Sequence, residues 1–145
     1  MPKEKATKKK IGNKNETVVK AKVAKVKEKK DLTAGRVYVK ATFNNTLISF
    51  TDRKGNVVAS GSCGGAGFKG ARKATPFAAT TVIEQLAKKV TDLGMREVEV
   101  YIKGPGAGRD AALRVLKTMG FVISLIADVT PIPHNGPRPK KKRRV

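Results

Sequence analysis

From Arg36 onward apolar and polar positions alternate. Val37, Val39, Ala41 and Phe43 fall on one side and Tyr38, Lys40 and Thr42 on the other, which predicts a half-buried strand. Asn44-Asn45 interrupts the run, and Leu47 to Thr51 reads as a second strand with Ile48 and Phe50 on one face. An Arg53-Lys54-Gly55-Asn56 turn leads into a third strand through Val57, Val58, Ala59 and Ser60. Three strands spaced this closely predict an antiparallel meander.

Beyond a glycine-rich stretch at 61–70 the period changes to that of a helix. Thr75 is placed as N-cap, and Pro76 takes the first helical position, where no N–H is needed. Ala79, Val82, Ile83, Leu86, Val90 and Leu93 then recur at spacings of three and four, and Gly94 is set to end the helix. Val98, Val100 and Ile102 alternate with Glu97, Glu99, Tyr101 and Lys103 as a fourth strand. The segment GPGAGR (104–109) opens a second helix that turns Leu113, Leu116 and Met119 inward and ends at Gly120. The run FVISLIADV (121–129) is nearly all apolar and β-branched, which predicts a fifth strand buried on both faces. The order β-β-β-α-β-α-β predicts one α/β domain, a mixed five-stranded sheet with helices packed on it. Its expected bounds are 36–130, with a flexible basic arm at 1–35 and a Pro-rich basic tail at 131–145.

Charge adds a partner to this picture. The 145 residues carry 32 Lys and Arg against 11 Asp and Glu, a net charge of +21. Twelve of the Lys lie in residues 1–30 against three Glu, and residues 134–145 hold six basic residues and no acid. Two basic ends flank a milder centre, a distribution that suits nucleic acid. Residues 1–30 have only Ile11, Val18, Val19, Val23 and Val26 as scattered larger aliphatics, too few to offset the entropy of ordering unless a partner is bound. No apolar run approaches the roughly 18–20 residues needed to span a bilayer. The lysine-rich start has neither the apolar stretch of a signal peptide nor the Arg and Ser of an organelle transit peptide, so a cytoplasmic location is expected. Cys63 and His134 are each the sole residue of their type, so neither an intrachain disulfide nor a Cys/His zinc site can be assembled.

Catalysis finds little support. Gly65-Ala-Gly67-Phe-Lys-Gly70 matches a dinucleotide fingerprint, but the helix begins about five residues too late and Asp92 is the only acid in range. A nuclease on a sheet of this order would need carboxylates converging on paired metals. Asp52 is at a turn, Glu84 and Asp92 are on the outer face of the helix, and Glu97 and Glu99 share one strand face. No cofactor is expected.

The loops instead suit anions. Residues 64–77 combine backbone N–H groups unobstructed by Cβ atoms with Lys69, Arg72 and Lys73, ahead of the positive end of a helix. Lys103-GPGAG-Arg109 repeats the arrangement at the second helix. Both loops leave C-terminal ends of strands and are expected on one edge of the sheet, where RNA phosphates would bind. Among the aromatic residues, only Phe68 and Tyr101 look free to stack on bases. Recognition of RNA backbone and shape is therefore expected over a stacking platform.

Four segments carry a resemblance: VKATFNNTLISFTDRKGN (39–56), GGAGFKGARKATPFAA (64–79), KGPGAGRDAALRVL (103–116) and DVTPIPHNGPRPKKKRRV (128–145). Together they closely resemble the S-eleven family of the bacterial small ribosomal subunit, almost without gaps over 36–145. The resemblance implies a ribonuclease-H-like fold that lacks that enzyme's catalytic acids. It implies binding to small-subunit ribosomal RNA on the platform near the messenger exit channel, with the seventh and eighteenth small-subunit proteins as neighbours. By motif, the RNA contacts would involve Asn44, Asn45, Lys69, Arg72, Lys73, Lys103, Arg109, His134, Asn135, Arg138, Lys140, Lys141, Lys142, Arg143 and Arg144. Asn135, before Gly136, is also the candidate for isoaspartate conversion that the family suggests. Two departures stand out: the arm is longer and richer in Lys than usual, and Pro137 follows Gly136 where many members have Cys. A free RNA-binding or chaperone protein on the same scaffold is the first alternative, and a ribonuclease-H-type enzyme the second.

Overall fold

Strands β1 (Ala34–Ala41), β2 (Thr46–Asp52) and β3 (Val57–Ser62) form the expected meander, seen in a computed structural model that describes residues 32–138, 140 and 141. Most of the expected N-terminal arm lies outside the described residues, as do Lys142, Arg143 and Arg144. Helix α1 (Pro76–Asp92) leads to β4 (Glu97–Lys103), and helix α2 (Gly108–Thr118) leads to β5 (Val122–Asp128). The strand order is β3-β2-β1-β4-β5, with β1 antiparallel to β2 and parallel to β4. This is the mixed sheet of a ribonuclease-H-like domain.

The two crossovers, β3 to β4 and β4 to β5, step across the sheet in the same direction. Right-handed connections therefore place both helices on one face. That face is the core: Val37, Val39, Ile48, Phe50, Val98, Val100 and Ile102 meet Ala79, Val82, Ile83, Val90, Ala112 and Leu116, all nearly or wholly buried. Among the described residues no helix lies over the opposite face. This face carries Tyr38 stacked on Tyr101 with ring centroids 5.2 Å apart, and Arg36 Nε donating to Glu99 at 2.9 Å. That bond to the guanidinium, with one donated by the Tyr101 hydroxyl, holds the Glu99 carboxyl below its usual range.

Three expectations need correction. β5 is the edge of the sheet rather than a strand buried on both faces: Val122, Leu125 and Ile126 are 63%, 45% and 56% exposed. A bulge at Ser124 shifts its register against β4, and only Ile123 packs on the core. Leu93 leaves the apolar stripe, because the helix ends at Asp92 and Leu93 turns outward as its C-cap, with Gly94 at φ +96° completing the stop. β1 begins at Ala34, two residues before the expected start, and Leu32 already packs against the core.

Candidate nucleic-acid interface

Because β1, β3, β4 and β5 all run the same way, their C-terminal ends reach one edge together with the β1–β2 turn. The expectation that both glycine loops open on a common edge holds, and a third segment joins them.

That segment is the turn Thr42–Asn45. Thr42 N donates to Asn45 O at 2.9 Å, and the Thr42 hydroxyl donates to the same carbonyl at 2.8 Å while accepting from Asn45 N at 3.1 Å. One hydroxyl thus closes the turn from both sides, and Phe43 and Asn44 project at its tip. Asn45 is partly buried, and its side-chain oxygen is buried without a donor.

The second loop docks on the first: Cys63 N donates to Thr46 O at 3.1 Å. Gly67 and Gly70 have φ of +93° and +57°, a backbone region that side chains rarely enter, and they let the chain double back into a 3₁₀ turn at Gly70–Ala74. Lys69 and Arg72 are exposed, and Lys73 is half-buried with its stem over Gly64. Thr75 fixes this turn to α1. Its hydroxyl donates to Arg72 O at 2.8 Å and accepts from Ala78 N at 3.3 Å, so one side chain sets both the cationic turn and the helix cap.

The third loop presses against the β1–β2 turn. Gly106 N donates to Ala41 O at 3.0 Å. A Cβ at Gly104 would collide with the Ala41 carbonyl, one at Gly106 with the Thr42 carbonyl, and one at Gly108 with the Thr46 side chain. Lys103 is exposed beside this loop. Arg109 is different, because its guanidinium is committed within the protein. Nη1 donates to Gly104 O at 2.6 Å, and Nη2 donates to Asp128 Oδ2 at 2.5 Å. Thr130 completes the clamp by accepting from Gly104 N at 3.0 Å and donating to Asp128 Oδ1 at 2.5 Å. The Thr130 hydroxyl first, and then Arg109, lower the Asp128 carboxyl to about 2. Arg109 therefore positions the loop and the root of the tail.

Residues 131–138, 140 and 141 are exposed. His134, Asn135, Arg138, Lys140 and Lys141 all face solvent, and Asn135 takes a left-handed φ of +57°. The structure thus gathers Asn44, Asn45, Lys69, Arg72, Lys73, Lys103 and Arg109 along one edge, and the tail leaves from that edge.

The aromatic expectation is overturned. Phe68 packs on the core and meets Phe77 edge-on at 6.2 Å, and Tyr101 lies against Tyr38. The most exposed rings are Phe43, at 76%, and Phe77, at 70%. Phe43 continues the inward alternation of β1 in sequence, but the strand stops at Ala41 and the turn rotates it out. The Thr-Phe-Asn-Asn tip was the available signal, since two Asn favour a turn over a longer strand.

Among the described residues the acidic side chains lie apart. Asp52 is buried and tied to Asn56, accepting from its backbone N at 2.9 Å and its side-chain amide at 2.8 Å. That amide holds the carboxyl below its ordinary range, so Asp52 shapes the β2–β3 turn. Among the described residues no three His, Cys, Asp or Glu side chains come close enough to share a metal, and no helix is long and apolar enough to cross a membrane.

Comparison with known proteins identifies a family. A family model described as "Ribosomal protein S11" matches residues 35–144. The chain is 55% identical over 121 residues to "Small ribosomal subunit protein uS11" of Nitratidesulfovibrio vulgaris, covering 83% of this chain and 94% of that one. It is 52% identical over 123 residues to the protein of the same name from Lawsonia intracellularis, covering 85% and 95%. With a match over most of its length and relatives this similar, the chain belongs to the ribosomal protein S11 family.

Proposed function

We propose that the chain is a structural constituent of the small ribosomal subunit and binds its ribosomal RNA through the loop edge described above. The observation that carries the reading is the convergence of three loops on one sheet edge, with Lys69, Arg72, Lys73 and Lys103 presented there and a basic tail leaving beside them. Backbone N–H groups at the starts of α1 and α2 add partial positive charge at the same edge. Phosphates are the partner such a surface selects, because charge and exposed N–H groups meet them with little dependence on sequence.

The finer reading places the chain on the platform of the subunit, near the messenger exit channel, with the seventh and eighteenth small-subunit proteins beside it and the cytoplasmic ribosome as its location. The residues proposed to touch RNA are Asn44, Asn45, Lys69, Arg72, Lys73, Lys103, His134, Asn135, Arg138 and Lys140 to Arg144. Arg109 acts by holding the third loop and the tail in place. Sedimentation of cell lysate tests the coarse reading, and cross-linking from Lys69 and Lys140 within isolated small subunits tests the fine one. Free protein at the top of the gradient would overturn the first, and cross-links confined to RNA away from the platform would overturn the second.

A further inference from the structure

The structure assigns one more element to this interface: a cleft beside Phe43 that takes a single unpaired nucleobase. The inference deepens the RNA-binding reading and rests on it. Phe43, Asn44, Gly70, Ala71, Lys73 and Ala74 line an open cleft of about 490 Å³ between the β1–β2 turn and the 3₁₀ turn. That volume falls within the range of roughly 300–1,000 Å³ typical of small-ligand clefts.

Each lining group matches one part of a nucleotide. Phe43 offers an aromatic face at 76% exposure, on a turn whose backbone is ordered by three hydrogen bonds between Thr42 and Asn45, and a base can stack on it. Lys73 brings a cation to the same cleft, where the 5′ or 3′ phosphate of a stacked nucleotide would lie. Asn44 is exposed and carries both a donor and an acceptor for a base edge. Behind the tip, outside the residues that line the cleft, the Asn45 side-chain oxygen is buried without a donor. Gly70 at φ +57° and Ala71 keep the facing wall low. One exposed phenylalanine is unremarkable on a protein surface. One carried on a hydrogen-bonded turn, sharing a cleft with Lys73 and the Asn44 amide at an edge proposed to bind phosphate, fits an extruded base.

The test uses the full chain and short RNA hairpins carrying one bulged nucleotide, made with each of the four bases, against the same hairpin fully paired. The bulged probes are expected to bind about 5- to 150-fold tighter, the range that stacking one base supplies. Phe43→Ala should abolish that preference while leaving the paired hairpin's affinity unchanged, and Phe43→Tyr should retain it. Lys73→Ala should weaken both probes. Equal affinity for bulged and paired probes, or a Phe43→Ala variant that leaves both affinities unchanged, would overturn the cleft and point to a protein contact for Phe43. If neither probe binds wild type at low salt, the RNA-binding reading itself fails and the cleft falls with it.

Discussion

Arg109 illustrates how a residue's role depends on what surrounds it. In sequence it is one more cation beside glycines, and nothing in the spacing reveals that Asp128 and Thr130, about twenty residues later, close around it. Replacing it with Ala should raise the Asp128 pKa above its present value of about 2, but not fully to 3.8, because the Thr130 hydroxyl contributes most to the lowering. NMR titration of the Asp128 carboxyl checks this. A folded-state pKa below the unfolded one stabilises the fold above about pH 4, and that stabilisation is lost as pH falls through about 2. The variant should therefore show a shallower loss of stability in acid. Asn135 offers a second residue-scale prediction. Its left-handed backbone, exposed side chain and Gly136 neighbour leave the following backbone nitrogen free to attack the carboxamide. Peptide mass spectrometry of freshly isolated subunits should find position 135 largely as isoaspartate, and intact Asn in most molecules would refute this.

At the level of elements, the helices and the inner strands were legible, since their periods are imposed by a single covered face. Thr75, Pro76 and Gly94 mark the bounds of α1 as the sequence leads one to expect. β5 was misjudged because composition records how apolar a strand is and not which strand takes the edge. Its exposed face suggests a direct check: Leu125→Lys should change unfolding free energy by less than about 0.5 kcal/mol. It should also reduce self-association of the isolated chain in light scattering, since charge on an edge strand discourages pairing with another. The third loop was read correctly as glycine-rich but for half of the reason. Gly104, at φ +98° and against the Ala41 carbonyl, admits no side chain without strain, so Gly104→Ala should cost about 1–3 kcal/mol in urea unfolding. The loop's close packing on the β1–β2 turn, invisible in a one-dimensional pattern, is what lets three separate segments act as one surface.

Across the whole molecule, charge and topology act together. Binding to RNA should weaken steeply with salt, falling by about 10³–10⁵ between 50 and 200 mM if roughly 6–10 phosphates are contacted. Filter binding across that range measures it, and a flat response would contradict backbone recognition. The pairing of the central strand bears on a different matter, the order of events as the chain leaves the ribosome that makes it. Ala41 pairs with Thr46, a few residues on, whereas Ala34 pairs with Glu97, 63 residues later. At synthesis rates of roughly 5–20 residues per second, one edge of β1 waits about 3–13 s for its partner. The meander can form during that interval, but the third loop is made only after β4, and Arg109 has no acid to close on until Asp128 follows. The loop edge proposed to meet RNA is therefore the last part of the domain to be completed.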